Sequence, residues 1–248
     1  MAKQSGIGDN LYIGGYNISG DVGSVGSVSG GPALLEVTGI DKSAMERLGG
    51  LRNGTLEFNA FFNASAGQEH AALKTLPTTD TQVMYLRGTV QGDPAAAMVA
   101  KQINYDPTRG ADGSLTEAIS CQSNGFGIEW GQNLTAGVRT DSTATSPATG
   151  LDTAAAASFG IQAYLQVFAF AGTSVTITVQ DSADNAAFAN ISGLSAFTAV
   201  TAAPAFERIA SSNTTTVRRY LRVITAGTFS NCAFAVVVVK NEIANQVY

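Results

Sequence analysis

The side chains best suited to chemistry are few and scattered. His70 is the single histidine, in the order Gln68-Glu69-His70 of a predicted helix. A metal centre needs several convergent ligands, and one histidine with no cysteine cluster supplies none. Cys121 and Cys232 lie far apart, each in an apolar stretch that reads as a strand, and are expected to be buried thiols. Gly-x-Ser-x-Gly, Walker A and His-Glu-x-x-His are all absent. The series Gly20-x-x-Gly23-x-x-Gly26 lacks dinucleotide spacing and follows no good strand. The loop from Asp106 to Asp112 fails as a calcium loop, because the fifth position, where an oxygen ligand is required, is Gly110. Its Pro and Asp-Gly content reads as a turn. This inventory argues against an enzyme, and it nominates no catalytic, cofactor-binding or metal-binding residue.

What must position these residues is a chain of 248 residues that is 45% hydrophobic yet only 13% charged. A typical soluble domain is about 25% charged. The net charge of −5 excludes a basic nucleic-acid binder. All of it falls in residues 1–150, with 9 basic and 14 acidic side chains, while residues 151–248 hold 5 of each. So little charge implies a surface that is neutral and polar, or hidden in an assembly. Arg218, Arg219 and Arg222 form the only basic cluster and read as a solvated or interface strand face. The opening Met1-Ala2-Lys3-Gln4-Ser5-Gly6 has no apolar run, so no secretion leader is expected. The longest apolar run, Ala233 to Val239, is far short of the ~20 residues of a membrane span, so no membrane anchoring is expected.

Hydrophobic periodicity divides the chain. Residues 1–32 are Gly-, Ser- and Val-rich and read as a mobile arm, with Leu11-Tyr12-Ile13 able to pair briefly. Leu34 to Ile40 reads as a strand. Asp41 looks like the cap of a helix carrying Ala44, Met45 and Leu48, ended by Gly49-Gly50. Thr55 to Phe62 alternates, with Leu56, Phe58, Ala60 and Phe62 on one side. Ser65 and Gln68 suggest a capping box opening a helix with Ala72, Leu73 and Leu76 inward, stopped by Pro77. Strands follow at Gln82–Gly88, Ala96–Asn104, Thr116–Cys121 and Gly125–Gly131. In the last, Trp130, the only tryptophan, falls on the apolar side and reads as core rather than as a sugar-stacking platform. The Thr/Ser/Ala tract 140–158 is the best boundary. Beyond it come strands at 161–170, 174–180, 206–210, 216–224 and 231–240, with a helical turn at Asp184–Ala189; this spacing reads as a β-sandwich. The expected organisation is an arm (1–32), a β domain (33–140), a linker (141–157) and a β-sandwich domain (158–248).

One ordered set of segments carries a resemblance. Leu11-Tyr12-Ile13-Gly14-Gly15-Tyr16-Asn17-Ile18-Ser19-Gly20-Asp21 comes first, then Glu36-Val37-Thr38-Gly39-Ile40-Asp41-Lys42-Ser43-Ala44-Met45-Glu46-Arg47. The strand Gly54 to Phe62 leads into Gly67-Gln68-Glu69-His70, followed by Asn104-Tyr105-Asp106-Pro107 and Gly125 to Gly137. Over its first 140 residues the chain resembles the major tail tube proteins of long-tailed bacteriophages. The part after residue 158 resembles the accessory β-sandwich modules of phage virion proteins.

The resemblance implies a mainly β fold: an antiparallel barrel or sandwich with one flanking helix, containing residues 55–76 and 82–138, then a second β-sandwich. It implies a structural virion protein, made in the host bacterial cytoplasm, whose rings, typically hexameric, stack into a tube through which DNA leaves. Partners would be other copies of the chain around and between rings, and tape measure, terminator and distal tail proteins. DNA would pass without specific binding, and acidic residues such as Glu57, Glu117 or Glu129 are candidates for the channel face. The C-terminal module would face outward and bind glycans weakly or only thicken the tube. Two other readings stay open: a capsid decoration or other head protein, and a carbohydrate-binding module.

Overall fold

A computed structural model describes residues 5–244. The chain is mainly β, one continuous antiparallel sheet system with a single short helix among the described residues. Its strands are β1 (Asn10–Ile13), β2 (Tyr16–Asn17), β3 (Val22–Glu36), β4 (Arg47–Phe61), β5 (Thr81–Leu86), β6 (Pro94–Gln102), β7 (Asp106–Arg109), β8 (Leu115–Ser123), β9 (Glu129–Asn133), β10 (Arg139–Asp141), β11 (Leu151–Asp152), β12 (Ile161–Ser182), β13 (Ala189–Asn190), β14 (Ala205–Ala210) and β15 (Tyr220–Lys240); α1 is Glu69–Leu73. Among the described residues no helix is long and apolar enough to cross a membrane.

Alternating apolar residues produce most of these strands. In β12, Val175, Ile177 and Val179 are buried while Thr176 and Thr178 are only partly so, the period-2 pattern of a sheet with one covered face. The opening segment of β12, Ile161–Val167, is buried at every residue because both faces are covered. Two cores result. One holds Leu11, Ile13, Leu56, Phe58, Val83, Met98 and Ile119; the other holds Ile161, Leu165, Ile177, Val223, Phe234 and Val236.

The cores are joined rather than tethered. A third apolar cluster sets Tyr12, Met84 and Leu86 against Tyr164, Val237 and Val239. Strand β9 pairs with β6 through Ala96↔Trp130 and with β15 through Val238↔Gln132. The Gln166 side chain donates to the carbonyls of Tyr12 and Gln82, each at 3.1 Å, and accepts the Gly15 N–H at 2.9 Å.

Several local expectations differ from this structure, each for a tertiary reason. In the stretch read as an arm, β1 lies against β5 with Leu11, Tyr12 and Ile13 at most 2% exposed, and β3 is one limb of a long hairpin; residues 1–4 of that stretch lie outside the described residues. The expected helix after Asp41 is absent, and β4 begins at Arg47. Met45 and Leu48 have no surface to face, while the backbone gains partners by pairing Leu48 with Leu35. Helix α1 forms without the capping box: no side chain caps Gln68, and the Gln68 N–H reaches the Ser65 carbonyl instead. Leu73 is buried, but Leu76 lies beyond the helix and is exposed.

Within the 140–158 tract, β10 and β11 both add to β15, whose edge offers free backbone groups. The expected turn starting at Asp106 is strand β7 as far as Arg109, and the turn is confined to Gly110–Gly113. No helical turn forms at Asp184; its Oδ1 instead accepts the Ala186 and Ala187 N–H groups. Strands expected separately at 161–170 and 174–180 are one strand, as are those at 216–224 and 231–240, because β12 and β15 pair along almost their whole length. Irregular pairing near Gly172 bends the ladder without ending it.

Candidate assembly surface

The longest local feature is the β3–β4 hairpin, paired from Val22↔Ala60 to Glu36↔Arg47. Its root is built into the fold, because β8 pairs with β4 from Thr55↔Gln122 to Phe61↔Thr116. There Leu56, Phe58 and Ala60 point into the first core. Gly54 marks the departure point: a Cβ there would sit 2.6 Å from the Ile128 nitrogen, so only glycine lets that segment cross. Beyond it, Arg47–Asn53 pairs with β3 alone.

This outer ribbon is apolar where nothing covers it. Leu34 is 73% exposed, Ile40 109% and Leu51 89%, and Leu35, Val37, Met45 and Leu48 are also exposed. A two-stranded ribbon is marginally stable alone in water, and burying one such side chain is worth roughly 1.5–3 kcal/mol. The ribbon therefore gains most from a second surface. Its charges are mixed, with Lys42 between Asp41 (3.8 Å) and Glu46 (3.6 Å).

The root carries a buried acidic cluster. Asp21, just before β3, accepts the Glu69 N–H at 3.0 Å and the Asn63 amide at 2.8 Å, tying α1 to both limbs of the hairpin. Glu69 on α1 and Glu117 on β8 are both 0% exposed, and their carboxyl oxygens have no hydrogen-bond partner. Burial, reinforced by the Glu117 charge, pushes the Glu69 carboxyl up to about 7. Burial also raises the Glu117 carboxyl above its ordinary range. Beside them His70 Nδ1 and the Tyr105 hydroxyl are 2.7 Å apart, and the Phe62 ring is tilted against the imidazole with centroids 4.7 Å apart.

Of the acidic candidates for a channel face, only Glu57 is exposed. Glu117 and Glu129 turn inward. Glu129 accepts from Arg208 Nη2 at 3.2 Å and from the Tyr164 hydroxyl, and Arg208 also lies 3.8 Å over the Phe126 ring. This pair joins β9 to β12 and β14. Its partners lie far along the chain, so strand alternation gave no sign of it. The arginine cluster is engaged too. Arg218 holds Asp181, Arg219 holds Asp152, and Arg222 donates to Gln180 Oε1 and the Pro147 carbonyl. Cys121 and Cys232 are free, buried thiols, pushed by burial up to about 12 and about 11. Trp130, expected in the core, is 50% exposed. The alternation of Phe126, Ile128 and Trp130 breaks at Glu129, which takes the inward position to meet Arg208.

No family model matches the sequence, and no curated protein matches it. Among solved structures, the chain is similar to a protein in the tail of an empty gene transfer agent particle, computed with helical refinement and C6 symmetry. That likeness has 12% identity and a TM-score of 0.41, covering 52% of this chain and 97% of the other. The Dit protein of SPP1, from the hub adsorption apparatus of phages infecting Gram-positive bacteria, covers 94% of this chain and 99% of its own, at 10% identity and a TM-score of 0.31. A protein of the phage p2 baseplate in its activated conformation with strontium covers 95% and 99%, at 12% identity and a TM-score of 0.33. The surfaces of this chain, rather than these likenesses, carry its functional reading.

Proposed function

We propose that the chain is a structural protein of a bacteriophage tail that polymerises with copies of itself, as stacked six-membered rings, into the tail tube. The observation that supports this is the apolar β3–β4 ribbon, anchored at its root by β8 and uncovered beyond Gly54. A tube needs contacts around each ring and between rings, and both are heterologous: the ribbon of one copy meets a different surface on the next. Free strand edges, such as the outer edge of β3, suit pairing between copies. In this reading the ribbon, rather than a free arm, makes the joint between subunits.

DNA passes through the lumen without specific binding, in keeping with the net charge of −5. Tape measure, terminator and distal tail proteins are the neighbours at the two ends, and the second half of the chain faces outward. The protein is made in the host cytoplasm and resides in the virion.

Negative-stain microscopy of concentrated purified protein tests the reading. Rings or tubes are expected, lost in Leu34→Asp/Leu51→Asp, with the melting temperature kept. A monodisperse monomer at every concentration, or tubes unaffected by the double substitution, would overturn it.

A further inference from the structure

The outward turn of Trp130 opens a second site, independent of the ribbon. Its indole lines a cleft of about 620 Å³ where β9, β11 and the end of β15 meet. That volume lies within the usual range for small-ligand sites. The cleft exists because Gly131 lets β15 press against β9: a Cβ at Gly131 would sit 2.0 Å from the Val238 carbonyl oxygen. Around the indole stand Gln132, Asp152, Thr153, Lys240 and Glu242.

Two of these polar groups are held in place. Arg219 grips the Asp152 carboxylate with two bonds, Nε to Oδ1 at 2.7 Å and Nη2 to Oδ2 at 2.6 Å. The hydrogen bonds from Arg219 hold the Asp152 carboxyl down at about 2, so it remains an acceptor at any physiological pH. The Lys240 ammonium is fixed by the Thr153 hydroxyl and by the carbonyls of Thr153 (3.3 Å) and Ala155 (2.5 Å).

The chemistry of the lining selects the ligand. An apolar ligand would strip water from two carboxylates and an ammonium without replacing their hydrogen bonds. A polyanion such as nucleic acid needs an excess of positive charge, and here Asp152 and Glu242 offset Lys240 and Arg219. A neutral polyhydroxylated ring fits both features. Its C–H face stacks on the half-exposed indole, and its hydroxyls donate to the fixed Asp152 carboxylate and accept from the Gln132 amide. We propose that this cleft binds a neutral saccharide, with one pyranose ring stacked on Trp130 and its hydroxyls bonded to Asp152 and Gln132.

Because Trp130 is the only tryptophan, its fluorescence reports on the site directly. The full chain is titrated with lactose, maltotriose, cellotriose and chitotriose up to 10 mM, and screened on an array of neutral glycans. At least one saccharide is expected to give a saturable change in emission. On the array, that binding should weaken at least tenfold in Trp130→Ala and in Gln132→Ala, with unchanged melting temperatures. Lack of response to every saccharide, or binding that survives both substitutions, would overturn the proposal. So would an emission blue shift that grows with protein concentration in the absence of sugar, since it would mean that a second copy covers Trp130. The tube reading is untouched by these outcomes, because Leu34→Asp/Leu51→Asp alters the ribbon and leaves the cleft intact.

Discussion

Glu69→Gln should make the protein more stable at pH 8 than the wild type while changing its stability little near pH 5. In the folded chain Glu69 titrates at about 7, against 4.5 for the free side chain. The causes are burial on α1, then the Glu117 charge; Asp21, behind the helix, adds to the repulsion. The sign follows from linkage. Between pH 4.5 and 7 the folded state holds a proton that the unfolded state has released, so stability falls as pH rises. The contribution is complete below 4.5 and gone above about 7. A displacement of that size is worth at most roughly 3 kcal/mol. For a chain of this length each kcal/mol moves the melting temperature by about 2–4 °C, so the effect has a ceiling of roughly 6–12 °C, reduced by whatever solvent screens. Other carboxyls titrate in the same window, and the wild type minus variant difference cancels them. Thermal melts of both proteins at half-unit intervals from pH 4.5 to 8.5 give that difference. It should open between pH 5 and 7.5 and then level off. A difference that stays constant across the range would refute the reasoning. Glu117→Gln offers a cross-check: removing the second carboxylate should lower the Glu69 transition toward its ordinary range.

Four further outcomes rest on named contacts. Arg208→Ala leaves the buried Glu129 without its cation and should cost about 3–5 kcal/mol in denaturant unfolding, whereas Arg219→Ala, at an exposed pair, should leave the unfolding midpoint nearly unchanged. Gly131→Ala forces β9 and β15 apart and should lose about 1–3 kcal/mol in the same assay. Cys121 and Cys232 should resist a thiol reagent in the native protein and react fully in denaturant; rapid native labelling would contradict their burial.

The sequence was most legible where the pattern was local. Leu56, Phe58 and Ala60 alternate into the first core, and Val175, Ile177 and Val179 into the second, as period-2 spacing requires. The mainly β character with one helix near residue 70 was likewise readable from turns and alternation. It was least legible where a distant partner decides the outcome. Met45 and Leu48 share a helical spacing, yet the pairing of β3 with β4 takes that segment into a ribbon. Trp130 has the neighbours of a core residue, but Arg208, 79 residues away, draws Glu129 inward and turns the indole out. The ribbon was hidden for a related reason. Gly- and Ser-rich strands have little periodicity of their own, and their exposed leucines look buried until no covering surface is found. The Glu69–Glu117 pair leaves no mark in sequence, since acidic residues on a helix and a strand ordinarily face water.

Strand β15 is the partner of β9, β10, β11 and β12. It is also the last strand of the described chain to leave the ribosome. Until residues 220–240 emerge, four earlier strands wait with open hydrogen-bonding edges, and the join between the two cores is incomplete. A message cut short anywhere before that point therefore yields a product that cannot close its second core. Such a fragment would display unpaired edges to proteases. Placing the shared strand late makes completion of synthesis a condition for a finished fold.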